Sequence, residues 1–166
     1  MPGKPAARIT DPVSHPLPPV LTGGPTAVTV QIGGLMAWRG VNPAVAAAMQ
    51  AAKAISDTAI QVAEAATLAA AGTPGAPAAK AAEEGVKAAA AAAMGSAITS
   101  AAGGSDIHAC TTPLPIPPHG PGIVITPSAT VIIANFPAAR QGDTILEAVG
   151  PPNTISMGCP TVLIGD

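Results

Sequence analysis

The tetrapeptide Pro-Ala-Ala-Arg stands twice in this chain, at residues 5–8 and 137–140, and in each copy an Asp follows the Arg by three residues, Asp11 and Asp143. A second unit recurs three times, as Thr29-Val30-Gln31-Ile32, Thr130-Val131-Ile132-Ile133 and Thr161-Val162-Leu163-Ile164. The first run leads into a degenerate copy of the tetrapeptide, Ala37-Trp38-Arg39-Gly40, and the second into the intact one; Gly165 and Asp166 follow the third. Repetition of this kind dictates architecture, because each copy must bury its apolar face against the others. An isolated two-stranded hairpin is marginal in water. Three short strand units therefore predict a small threefold β structure wound around one axis.

The 166 residues suffice for one ordinary domain, yet the usual core fillers are missing: one Trp, one Phe and no Tyr. Gly (18) and Pro (20) approach the levels of disordered chains. Here they punctuate short Val/Ile/Thr runs at turn positions, as ordered repeats require. Apolar and polar residues alternate through Val30-Gln31-Ile32, and apolar runs at 123–125, 130–134 and 161–164 are bounded by Pro, Gly or Asn. A formal net charge of −2, with no basic cluster and almost no aromatics, argues against nucleic-acid binding. The first residues, Met1-Pro2-Gly3-Lys4-Pro5, lack the apolar region of a signal peptide, so a cytoplasmic start is expected. In that compartment two cysteines serve as thiols or metal ligands more readily than as a disulfide.

Residues 42–103 differ in kind. Ala dominates, no Gly or Pro interrupts positions 44–71, and Asn42 before Pro43 reads as a helix cap with Pro in the first turn. Gly72-Thr73-Pro74-Gly75-Ala76-Pro77 makes a turn, and a second helix is expected over 78–102, closed by Gly103-Gly104. Lys53 and Asp57, and Glu83 and Lys87, stand at ion-pair spacing. The result is a helical hairpin, with Val45, Met49, Ile55, Val62, Val86 and Met94 as its larger contacts. Its charged residues make it unsuited to spanning a bilayer.

Chemistry-bearing residues are few: His15, His108, His119, Cys110 and Cys159. His15 lies four residues after Asp11. Removing the insert would join Arg39-Gly40 to Ser105-Asp106-Ile107-His108 and restore the same Arg, Asp, His order. Cys159 stands where the second repeat has Ser128. Cys110 is open to three readings: replacing an imidazole, pairing with Cys159, or serving as a small buried apolar residue. No nucleophile elbow, His-Glu-x-x-His or phosphate-cradling loop occurs, so no enzymatic activity is expected.

The two tetrapeptides, Asp106-Ile107-His108-Ala109-Cys110, Pro118-His119-Gly120-Pro121-Gly122 and the run Gly158-Cys159-Pro160-Thr161-Val162-Leu163-Ile164-Gly165, taken in this order, resemble the PAAR-repeat family. The resemblance covers roughly residues 1–41 and 104–166, with 42–103 as an insert. It implies a mainly β, threefold-pseudosymmetric cone that caps and sharpens the spike of a type VI secretion system or related contractile injection machine. It implies one structural zinc near the point, with His15, His108, His119 and Cys159 as ligands. The implied partner is a trimeric β-helical (VgrG-like) spike protein, one cap per trimer, carried out of the cell and into transient contact with a target membrane. A cargo or effector role for the helical insert is the alternative.

Overall fold

The computed structural model describes residues 3–14, 20–21, 29–110 and 119–166. The first elements are β1 (Lys4–Ala6), β2 (Gln31–Ile32), β3 (Leu35–Met36), α1 (Pro43–Ala69), α2 (Ala76–Ala102) and β4 (His108–Cys110). Then come β5 (Gly120–Val124), β6 (Ile132–Ile133), β7 (Phe136–Pro137), β8 (Thr144–Glu147), β9 (Asn153–Thr154) and β10 (Cys159–Ile164). The fold is a mixture of helix and strand. The expected mainly β balance does not hold, because each of the two helices takes 27 residues while the strands are two to six residues long.

The three recurring strand runs form three equivalent ladders. In β2–β3, Gln31 faces Met36 and Ile32 faces Leu35; in β6–β7, Ile132 faces Pro137 and Ile133 faces Phe136. Both close through two-residue turns in left-handed backbone, Gly33-Gly34 (φ 57° and 81°) and Ala134-Asn135 (φ 46° and 68°). Such turns match the twist of a tight hairpin. The third ladder has no turn. It joins β10 to β1, with Leu163 facing Pro5 and Ile164 facing Lys4, so two strands far apart in sequence meet where the other ladders turn.

The tetrapeptides close a ring. Ala7 N–H donates to the Ala139 carbonyl, Ala139 N–H to Trp38 and Trp38 N–H to Ala7, each at 2.9 Å. A second cycle runs outside it: Ile9 to Met36 (3.0 Å), Gly40 to Pro137 (2.8 Å) and Gln141 to Pro5 (2.8 Å). Two of the three ring residues are alanines, and the third side chain, that of Trp38, points away into the adjoining core. Ala7 and Ala139 keep the ring tight, while Trp38 fills the space beside it against Val13, Leu21, Val124, Ile145 and Ile155. Each Arg then folds back onto an Asp with one shared geometry, backbone N–H and Nε to one carboxylate oxygen and a terminal nitrogen to the other: Arg8 on Asp11, Arg140 on Asp143 and Arg39 on Asp106. The third pair spans 67 residues of sequence, which places the helices between an Arg and its own Asp.

Asn42 caps α1 through its side chain, which accepts from Val45 N–H at 3.0 Å, and Gly103 ends α2 in left-handed backbone (φ 57°). The hairpin is not a free appendage. Ala46, Met94, Ile98 and Ala102 share a buried cluster with Ile123, Ile125, Leu146, Ala148 and Val149, and Val45 and Met49 pack against it. Ile55 and Val62, expected between the helices, instead face outward. The helices meet through alanines, the Lys87–Glu64 ion pair at 2.7 Å and a hydrogen bond from Thr67 Oγ1 to the Ala79 carbonyl at 3.2 Å, while larger side chains at the inner end serve the sheet. Among the described residues, no helix is long and apolar enough to cross a membrane.

Candidate metal centre

The four-stranded antiparallel sheet β4-β5-β8-β9 carries the chemistry. Residues two apart on a strand share a face, so His108 and Cys110 point together from β4, both buried, while Ala109 points out. Across the sheet, His108 faces Gly122 on β5, and Gly122 faces Glu147 on β8. Gly122 is what lets the outer pair meet. A Cβ there would lie 2.9 Å from Ile145 Cγ2 and 3.0 Å from Glu147 Cγ. With no side chain in between, His108 Nε2 comes within 3.6 Å of Glu147 Oε1. The ligand atoms of His108, Cys110 and Glu147 all lie within 4.8 Å of one another.

His119 completes the surroundings. Its Nδ1–H donates to Glu147 Oε2 at 2.7 Å, and Asn153 Nδ2 donates to the same oxygen at 2.8 Å. Burial, and after it the charge of Lys53, hold the His119 imidazole below its ordinary pKa. A ring donating through Nδ1 in its neutral form keeps its lone pair on Nε2. That is the state in which histidine binds metals, with a carboxylate orienting the ring. Nitrogen, sulfur and carboxylate donors together are a set that transition-metal ions accept. A tetrahedral ion with bonds of about 2.0–2.3 Å needs its ligand atoms roughly 3.5 Å apart, close to the His108–Glu147 spacing. The group can hold a metal ion.

Of the four ligands that the resemblance implies, the structure brings His108 and His119 together around Glu147. His15 lies outside the described residues. Cys159 goes elsewhere: it opens β10, opposite Ala6, in a cluster with Ile32, Ile133, Ala138 and Ile164. Its sulfur lies 3.2 Å from Thr161 Oγ1, and the Thr161 contact, with a smaller contribution from Arg8, lowers the thiol pKa. The reason is positional. Ser128, its counterpart in the second repeat, likewise sits at the foot of a ladder, bonded to Gly165 O at 2.6 Å. Equivalent residues of a repeat occupy equivalent places, and this one belongs to the ladders rather than to the sheet that bears the histidines.

Sequence reasoning passed over Glu147 and left Cys110 open. A signal was present. Cys110 stands four residues after Asp106 and Glu147 four after Asp143, the same interval that separates His15 from Asp11. Each Asp is the anchor of an Arg, so a count from the Asp marks equivalent positions with three different donors. No family model, curated protein or solved structure matches the chain.

Proposed function

We propose that this protein is a PAAR-repeat cap: a conical, threefold-pseudosymmetric tip that seats on the blunt end of a trimeric spike in a contractile injection machine. The closed ring of Ala7, Trp38 and Ala139 hydrogen bonds carries the reading, because it gives one chain a threefold arrangement matching a homotrimer. The ladders supply a surface for that partner. Val30, Ile132, Val162 and Leu163 are exposed on them, apolar and spread over all three. Open strand edges at the end of a spike are templates for unwanted pairing, and a cap covers them. A zinc ion held by His108, Cys110 and Glu147, with His119 orienting Glu147 or joining as a ligand, would pin β4 to β8 and harden one end of a small, aromatic-poor fold.

The test is reconstitution with the trimeric spike protein encoded alongside. One cap should bind per three spike chains, and binding should survive raised salt, since the contact is apolar. Ile132→Asp and Leu163→Asp should weaken it without changing metal content. A protein that binds no spike, or whose ladder variants bind as well as the parent, would sink the reading. A second role is favoured by the outward Ile55, Val62 and Leu68, at 74 %, 65 % and 77 % exposure: the hairpin as a docking arm for cargo.

A further inference from the structure

Glu147 is a carboxylate held in one orientation, and part of the hold comes from a strand outside the candidate ligand group. Its side chain is fully buried, and two donors converge on Oε2: His119 Nδ1–H at 2.7 Å and Asn153 Nδ2 at 2.8 Å. One carboxylate oxygen offers two in-plane lone pairs, so these two bonds saturate Oε2. The other oxygen, Oε1, is the one that lies 3.6 Å from His108 Nε2.

The fold fixes both donors. Asn153 stands opposite Ile145 in the β8–β9 ladder, which makes Glu147 its diagonal neighbour on the same face, within reach of a short amide. His119 is held through its backbone, whose carbonyl accepts from Val149 N–H at 3.1 Å. The Nε2 corner of its ring lies against Gly150, where a Cβ would come within 3.1 Å. Its second nitrogen is thus turned to the loop between β8 and β9 while its first is on Glu147.

We propose that Asn153 is a positioning residue of the metal centre, a role that rests on the metal reading above: together with His119 it fills Oε2, so that Glu147 offers an ion Oε1 alone. A carboxylate free to use both oxygens chelates, which suits large, oxygen-seeking ions such as calcium. A single oxygen beside nitrogen and sulfur suits an ion content with four ligands. For Oε2 to reach the ion as well, His119 or Asn153 would have to give up its acceptor inside the fold, and that opposes the second bond. Asn153 therefore acts on the coordination number through Glu147, without touching the ion.

The experiment loads the full chain with zinc and with cobalt, in the parent and in Asn153→Leu and Asn153→Ala; the smaller variant carries the test should the larger not fold. Zinc, titrated against a chromogenic chelator, should bind both variants about tenfold more weakly, the scale on which outer partners of a metal ligand act. Cobalt reports the cause. Its visible bands, intense at low coordination number, should lose intensity and move in both variants as Glu147 gains a second bond to the ion. A merely structural Asn153 predicts weaker zinc and a lower unfolding temperature with the parent's cobalt spectrum, and that result overturns the proposal. Parent-like affinity and spectrum in both variants overturn it too, leaving the metal reading intact. If the parent protein binds neither ion, the metal reading itself falls and takes this one with it.

Discussion

Cys110 and Cys159 are both buried thiols, and their neighbours separate them. Cys110 shares a strand face with His108 and lies within ligand distance of Glu147; Cys159 lies among alanines and isoleucines beside Thr161. Cys110→Ser should therefore weaken zinc binding by more than about tenfold, the scale at which even outer partners of a metal ligand act, while Cys159→Ser should leave it nearly unchanged. Metal analysis after dialysis against a chelator reads the difference. A larger loss from Cys159→Ser would restore the ligand set that the resemblance implies. The histidines were legible because they are rare and stand at repeat positions. Glu147 was not, because a carboxylate in a strand has many ordinary uses and only its count from Asp143 distinguishes it. Gly122, which makes room for the group, has no side chain to advertise its role.

The helical hairpin was legible at its ends and obscure along its faces. Asn42, Pro43 and Gly103 announced the boundaries, and the structure moves them only slightly, with α1 ending at Ala69 and α2 starting at Ala76 because Pro77 is tolerated in a first turn. Alanine on nearly every face erases the periodicity that would have shown which side meets the sheet. Charge gives a clearer handle. Lys87, then Lys80 and Thr67, hold the Glu83 carboxyl down to about 2. An unfolded Glu titrates near 4.3, so the stabilisation from this depressed group is present above that value and is lost as pH falls toward 2. The helical circular-dichroism signal should accordingly become less heat-stable over that interval. Glu83→Gln should flatten the dependence and lower the neutral-pH melting temperature toward the acid value. A variant with the parent's full acid sensitivity would show that other carboxyls govern it.

Over the whole molecule, the threefold plan was visible in the repeats, and so was the Arg-to-Asp order that Arg39 and Asp106 restore across the insert. The mixed helix and strand balance and the common core were not, because no local pattern told that Ile98 and Met94 pack with Ile123 and Leu146 rather than with α1 alone. Arg39 is where the plan bears most weight, since it ties the chain together on both sides of the hairpin. Its side chain and that of Asp106 are each 1 % exposed, while Arg8 and Asp11 are 18 % and 6 % exposed. Arg39→Ala, which strands a buried carboxylate, should cost about 3–5 kcal/mol in urea unfolding, and Arg8→Ala distinctly less. Equal losses would mean that burial does not rank these pairs.

The third ladder has a consequence for how the molecule is made. The other two ladders can close as soon as a few consecutive residues emerge from the ribosome. The first strand must wait for Leu163 and Ile164, its partners in β10. Ala7 and Pro5 find their ring partners Trp38, Ala139 and Gln141 earlier, but the strand pairing of β1 waits for β10. Of the three ladders, this one closes the longest loop and so carries the largest loop-closure entropy. A chain that stopped between Asp143 and Cys159 would hold the residues of two ladders, the hairpin and the ring, yet leave β1 without its partner strand.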